Sequence, residues 1–362
     1  MAHLAVDIGT TNTSVLLLEN DRVLRLVRQS VGVRDTSISG SRAVLRHMLR
    51  HTFLSLTRKA PSPPRFVLAA GMITSSLGLV EVPHVLGPAG AEELSQCVRM
   101  RTFPEVSPLP FFLVPGVRTQ RPPCQLANVE RTDIIRGEET EIIGLLTRRR
   151  CAEPWLFVHL GSHAKAIQID RRGRIVKSTS TLSGECLHLL RTQTILARRL
   201  ARLESHTLNE RFFLEGARCV ERHGLLRALF MVRLLEENPR YRPPDLNSFL
   251  LGALQRSDLH AFESQGLLHS RNKTVLLSGH PDLLAACSLM LRSKRRGVEI
   301  VSPRERITAF LAGLRQIVFP SPAFRHFAAR ERDLRGGFPS KNVSFPRLSE
   351  FGFHTRPSFA SL

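Results

Sequence analysis

The chain has 362 residues, 42% of them apolar, enough to supply two domains with a core each. Its 52 Lys and Arg against 31 Asp and Glu give a formal charge of +21. No run of 18 apolar residues occurs, nor a basic segment leading into an apolar core, so neither a membrane span nor a secretion signal is expected and the cytoplasm is the expected compartment.

The cysteines, at 97, 124, 151, 186, 219 and 287, stand singly without a C-x-x-C pair or a nearby histidine cluster. That spacing argues against a zinc site and a disulfide framework, and reduced thiols are expected. Excess positive charge raises nucleic acid as a partner through counterion release. The arginines are dispersed, however. Arg148-Arg149-Arg150, Arg198-Arg199 to Arg202 and Lys294-Arg295-Arg296 each lie beside apolar periodic residues, as on solvated helix faces and ends. One Trp and one Tyr also offer few stacking platforms, although the 20 Phe could partly substitute. Nucleic acid is therefore not an expected partner, nor is a membrane.

Taken in chain order, Leu4 to Ile8 and Thr13 to Leu18 are apolar runs joined by Gly9-Thr10-Thr11-Asn12, a hairpin with a polar turn. Such a turn presents N–H groups and hydroxyls to a phosphate, and Asp7 is a hard oxygen ligand suited to Mg²⁺ through water; an ordinary polar turn is the alternative. A helical pattern through Ala43, Leu45, Met48, Leu49, Phe53 and Leu54 ends at Pro61 to Pro64. Phe66 to Met72 reads as a buried strand turning at Gly71, residues 74 to 86 as a loop, Ala91 to Val98 as a short helix and Phe111 to Gly116 as a strand. At Arg136-Gly137-Glu138-Glu139-Thr140-Glu141, a glycine and acids precede apolar residues, which signals a helix start.

The opening pattern then recurs. Leu156 to Leu160, Gly161-Ser162-His163 and Ala164 to Ile169 again read strand, glycine turn, strand. A spaced pair of such hairpins suggests two homologous lobes facing each other across a cleft. A long helical region is expected from about 186 to 204, with further helices to about 255. Thr274 to Leu284 reads as a strand, a Ser278-Gly279-His280 turn and a helix, Val298 to Val301 as a final strand, and Ile307 to Val318 as a closing helix. Residues 320 to 362 hold seven Phe, repeated Pro and Gly and no sustained periodicity, and are expected to be a disordered or loosely docked tail.

The joint occurrence of Asp7-Ile-Gly-Thr-Thr-Asn-Thr, Ala70-Gly-Met-Ile-Thr-Ser, Asp133-Ile-Ile-Arg-Gly-Glu-Glu-Thr, Leu160-Gly-Ser-His-Ala-Lys and Ser183-Gly-Glu resembles the 2-dehydro-3-deoxygalactonokinase family of the actin, hexokinase and sugar-kinase superfamily. The resemblance covers about residues 3 to 318, and Arg-Gly-Glu-Glu-Thr is its most distinctive block. It implies an α/β, two-lobed actin-like (ribonuclease H-like) ATPase fold with a cleft between duplicated lobes, here 3–140 and 141–318, followed by the tail 319–362. It also implies transfer of the ATP γ-phosphoryl group to the 6-hydroxyl of 2-dehydro-3-deoxy-D-galactonate, with Mg²⁺. The chain departs from the family pattern at Ser162, where Thr is usual, at Ala164, at Leu79, where an aromatic residue is common, and in the basic tail. Another sugar-acid kinase is the nearest alternative; a catalytically weakened ligand- or nucleic-acid-binding member is the other. A homo-oligomer is compatible with all of these.

Under the resemblance, Asp7 orients Mg²⁺ while Gly9, Thr10, Thr11 and Asn12 hold the transferred phosphate. Gly161 and Ser162 hold the β- and γ-phosphates, helped by His163 or Lys165, although Lys165 could equally face solvent from a strand. Glu138 is the expected general base, with Asp133 as runner-up or simply a turn residue, and Glu139 and Glu141 are first-turn charges. Arg136, then Arg34, would hold the substrate carboxylate, with Gly71, Thr74 and Ser75 contacting its hydroxyls. Gly279 would admit the adenine ring, or be only a strand-to-helix turn.

Overall fold

The computed structural model of the chain describes residues 1–20, 22–149, 155–200, 208–268 and 274–335. The chain opens with strands β1 (Ala2–Ile8), β2 (Thr13–Glu19) and β3 (Arg22–Gln29), then helices α1 (Val33–Ser39) and α2 (Ala43–Arg58) and strand β4 (Val67–Gly71). Next come β5 (Val85–Leu86), α3 (Ala91–Gln96), β6 (Arg99–Phe103), β7 (Ser107–Leu113), β8 (Val117–Arg118), β9 (Ile134–Ile135) and α4 (Glu138–Leu146). The second hairpin is β10 (Trp155–Leu160) and β11 (Ala164–Ile169), continued by β12 (Ile175–Thr181) and helices α5 (Ser183–Thr192), α6 (Ala197–Leu200), α7 (Glu210–His223), α8 (Leu225–Leu235) and α9 (Pro243–Ser264). It closes with β13 (Thr274–Gly279), α10 (Pro281–Ser293), β14 (Gly297–Ile300), α11 (Pro303–Val318) and α12 (Pro322–Arg335). Arg150, Cys151 and Arg202 lie outside the described residues.

Two compact units result. The first comprises Met1–Val82, Ser95–Pro115 and the chain from Ile317; the second comprises Pro83–Leu94 and Gly116–Gln316. The division expected at residue 140 falls instead at 115/116, so Asp133, Arg136 and Glu138 belong to the second unit. The cause is local packing: β8 pairs with both β5 and β9, and α4 lies tight on α11. A Cβ on Gly144 would sit 1.7 Å from Ala309 O, and one on Gly313 would sit 1.8 Å from Thr140 O.

The sheet of the first unit runs β3-β2-β1-β4-β7-β6, with β1, β2 and β3 antiparallel and β4 and β7 parallel to β1. Leu4, Val6, Ile8, Val15 and Leu17 meet Leu45, Leu49 and Phe53 of α2 on one face. Ala5, between them in β1, is also buried, so the middle of the strand is covered on both faces. Edge strand β3 escapes a reading by hydrophobicity because it is largely exposed and carries Arg22, Arg25 and Arg28.

The tail expectation is corrected for residues 322–335, which form α12. Pro322 starts the helix and Ser321 Oγ accepts from Phe324 N at 3.2 Å, a hydroxyl cap followed by proline. Phe324 and Phe327, three residues apart, lie on one face against Phe66 and Phe112, with centroids 5.0–6.0 Å apart. Phe319 stacks on Phe324 at 4.8 Å. A single helix with one aromatic stripe is too short to stand out against the Pro and Gly around it. Residues 336–362 lie outside the described residues.

The second unit repeats the arrangement as β12-β11-β10-β13-β14, three antiparallel strands followed by two parallel ones. Its core joins Leu156, Val158 and Leu277 to α5, α7, α9 and α10. The helix expected over 186–204 is two, α5 and α6, and residues 201–204 lie outside the described residues. Thr192 and Thr194 sit at the break, their hydroxyls donating to His188 O and Leu190 O at 2.7 and 2.8 Å. Several basic residues are held within the fold. Arg149 donates to Glu299 and Glu305, and Lys294 pairs with Glu263. The described cysteines are all free thiols, and no described helix is long and apolar enough to cross a membrane.

Candidate functional site

In the first unit the β1–β2 turn is closed by Gly9 N donating to Asn12 O at 2.8 Å. The start of α1 is laid directly on it, Val33 N donating to Gly9 O at 3.2 Å and Arg34 N to Thr10 O at 2.8 Å. A Cβ on Gly32 would lie 2.3 Å from Thr10 O, so no other residue fits that approach. On the other side, Gly71 ends β4 with φ of 80°, and a Cβ there would meet Ile8 O at 2.4 Å and Asp7 Oδ1 at 2.9 Å. Gly71 thus keeps open the space beside the Asp7 carboxylate. Asp7, Gly9, Thr10, Thr11, Asn12, Arg34 and Gly71 are all brought around this turn.

Thr74 and Ser75 are placed differently from expectation. Thr74 is fully buried, its hydroxyl donating to Gly71 O at 3.0 Å with Val114 O 3.2 Å away. Ser75 Oγ donates to Met72 O at 2.8 Å. Both hydroxyls tie the turn after β4 in place rather than facing a solute.

The second turn has the same surroundings. The start of α5 packs on it: a Cβ on Gly184 would lie 2.0 Å from Gly161 O, and Glu185 N donates to Ser162 O at 2.8 Å. Gly279, at the end of β13, would bring a Cβ within 2.1 Å of Leu160 O, and His280 N donates to that oxygen at 2.8 Å. His163 Nε2 lies 3.0 Å from Glu185 Oε1. Where the first turn has Asp7, cross-strand from Ser14 and Ala70, the second has His159, cross-strand from Lys165 and Ser278.

Beside this turn the Arg-Gly-Glu-Glu block forms a buried ionic cluster. Lys165 Nζ donates to both Glu138 oxygens at 2.8 Å, and Arg136 N donates to Glu138 Oε2 at 3.2 Å. Lys165 is therefore not a solvent-facing strand residue: it is 8% exposed. Gly137, at φ 111°, lets the chain fold back so that its N–H donates to Glu139 at 2.8 and 2.9 Å. Asp133 is half-buried beside them, accepting from Ser180 Oγ at 3.1 Å; Ser180 is the cross-strand partner of Lys165.

Protonation equilibria divide these carboxyls. Burial works to raise Glu138, but the Lys165 ammonium and its hydrogen bonds hold it below the ordinary value. Burial raises Asp133 despite bonds from Ser178 and Ser180. Burial and the neighbouring Glu138 charge push Glu139 up to about 7. Arg136 is buried, its Nη2 3.3 Å from His84 Nδ1, and burial together with Arg136 lowers His84 to about 4.

A polar layer behind the turn lay beyond sequence reasoning. Glu141, read as a first-turn charge, accepts from Ser278 Oγ, with His159 Nδ1 3.8 Å and Arg306 Nε 3.7 Å away. Burial lowers His159 to about 4, with Arg306 and Lys165 acting the same way against Glu138. One signal was available: α4 is apolar on every side after its acids, so those acids had to be buried with it.

A protein-family model described as 2-keto-3-deoxy-galactonokinase matches residues 7–317. Among solved structures, a protein from Sinorhizobium meliloti provisionally described as a 2-dehydro-3-deoxygalactonokinase is 22% identical, covering 88% of this chain and 99% of its own, with a TM-score of 0.66. The activator of the 2-hydroxyisocaproyl-CoA dehydratase from Clostridium difficile, solved with ADPNP, is 12% identical, covering 94% of this chain and 100% of its own, at a TM-score of 0.46. No curated protein sequence matches. The repeated sheet order is that of the actin-like, ribonuclease H-like α/β fold.

Proposed function

The chain belongs to the 2-keto-3-deoxy-galactonokinase family, a family of phosphotransferases, and from that premise we propose roles for its residues in moving the ATP γ-phosphoryl group to the 6-hydroxyl of 2-dehydro-3-deoxy-D-galactonate. The family match, which spans both units, carries this reading. In the reaction the sugar-acid O6 attacks the γ-phosphorus, the bond from that phosphorus to the β–γ bridging oxygen breaks, ADP leaves, and the hydroxyl proton passes to a base.

Asp133 is the better base of the two candidates. A base works best with a pKa raised toward the operating pH, and burial moves Asp133 that way. Glu138 has both oxygens engaged by Lys165, which lowers its proton affinity. Its proposed role is structural: the pair sets the start of α4 and the position of Arg136. Glu139 is fully buried on Gly137 N, which keeps it from a substrate. Arg136 would hold the sugar-acid carboxylate, and the neutral state of His84 beside it adds no repelling charge.

Gly9, Thr10, Thr11 and Asn12, and likewise Gly161 and Ser162, would hold phosphates through N–H groups and hydroxyls. Arg34 lies beside the first turn as a further cation for an anion. Gly279 would lie against the adenosine. Asp7 fits Mg²⁺: it is a single carboxylate beside a turn of hydroxyls, with the space next to Oδ1 kept open by Gly71. When bound, Mg²⁺ would neutralise phosphate charge.

A coupled ADP-release assay with 2-dehydro-3-deoxy-D-galactonate and its gluconate epimer tests the reading. Turnover with the galactonate is expected. Absence of turnover with both would overturn the assignment.

A further inference from the structure

Asp258 lies on α9 only 3% exposed, and none of the roles above uses it. Its Oδ1 accepts a 2.6 Å hydrogen bond from the hydroxyl of Thr181, the last residue of β12, while Oδ2 is buried without a hydrogen-bond partner. A carboxyl group in that place is costly for the fold, because one of its oxygens has lost water and gained nothing. Burial pushes it up to about 6, against the bond from Thr181. A simple core contact would be served better by an apolar side chain.

The residues after Thr181 give the acid a use. Ser183 Oγ lies 3.4 Å from Thr181 Oγ1 and begins α5. The next two residues are those that touch the second turn, Gly184 through its packing on Gly161 O and Glu185 through its N–H on Ser162 O. Through these two contacts the start of α5 lies directly on the backbone of Gly161 and Ser162. Asp258 is thus one hydrogen bond and three residues from the backbone that carries the proposed phosphate contacts.

We propose that Asp258 is a positioning residue for nucleotide binding: by holding Thr181 it sets where α5 begins, and α5 in turn holds Gly161 and Ser162 in the conformation that binds the polyphosphate of a nucleoside di- or triphosphate. The inference rests on the reading of Gly161 and Ser162 as phosphate contacts.

The test compares the full-length parent with D258N, T181V and T181S by calorimetric titration with ADP, by KM and kcat for both substrates, and by melting temperature at pH 8. D258N and T181V should each raise the ADP dissociation constant and the KM for ATP by about three- to tenfold, the range of one ordinary hydrogen bond. The KM for the sugar acid should stay unchanged, T181S should recover parental binding, and D258N should melt no lower than the parent. Parental ADP affinity in both D258N and T181V would overturn the inference. So would a loss that tracks a drop in melting temperature and is not recovered in T181S. A parent that fails to bind ADP would instead remove the phosphate assignment itself.

Discussion

The two turns share one mould and differ in what fills it. Each lies between antiparallel strands, with a helix start packed on it through a glycine, Gly32 or Gly184, and a parallel strand ending beside it in another, Gly71 or Gly279. The glycines are repeated because backbone meets backbone there, and no side chain fits. The charge is not repeated. Asp7 occupies in the first unit the position that His159 holds in the second, where burial keeps the imidazole neutral and Lys165 is committed to Glu138. Duplicated backbone with divergent charge fits a division of work, the first turn organising a cation and the second contacting phosphate through neutral groups.

Replacing Asp7 with Asn tests that division most severely. Turnover should fall roughly a thousandfold, as expected when a metal's contribution of several kcal/mol is lost, and part should return at high Mg²⁺. H159N should leave the Mg²⁺ dependence where it was. Mg²⁺ titrations of the two variants decide it, and equal shifts would remove the asymmetry. Next in size is D133N, expected to lower kcat by about 10²- to 10⁴-fold, the contribution of a positioned base, with little change in the KM for ATP. E138Q, by contrast, should act on the fold, because a buried Lys165 left with half a partner is worth about 3–5 kcal/mol of stability. Denaturant titration would show it, and adding K165M to E138Q should recover part of the loss. A D133N enzyme of normal kcat beside a stable, inactive E138Q would exchange the two roles.

Stability should also depend on pH. Glu139, raised from 4.5 to about 7, contributes stability that is present below 4.5 and lost as the pH rises through about 7. His84 and His159, lowered from 6.5 to about 4, contribute stability that is present above 6.5 and lost as the pH falls through about 4. E139Q should therefore match the parent near pH 5 and exceed it at pH 8 by at most about 3 kcal/mol, measured by denaturation at both values. A parent whose stability does not decline over that range would show Glu139 to be no burden. The smallest effect is expected far from either turn: F327A should destabilise the first unit by about 1–3 kcal/mol, a partly buried aromatic truncation, with the KM for ATP unchanged.

The hairpins, the helix start at Glu138 and the strand-to-helix turn at Gly279 were legible because each couples a run of β-branched and aliphatic residues to a glycine that ends it. Strands β3, β6 and β12 were not, since edge and half-exposed strands carry arginine, threonine and serine and show no alternation. In the site, Asp7 and the turn residues could be read from local order. The Lys165–Glu138 pair could not, because its partners lie 27 residues apart, one opening α4 and the other in β11, and only tertiary packing brings them together. Thr74 and Ser75 misled for the opposite reason: a hydroxyl in a glycine turn looks the same whether it serves a substrate or a carbonyl.

Helix α12 has a consequence for synthesis. The face of Phe66 and Phe112 is covered by Phe324 and Phe327, so the first unit cannot cover that face until some 300 residues after its first strand have been made. The second unit lies wholly between those two moments. Its residues are all made while the first unit still lacks the helix that covers this aromatic face.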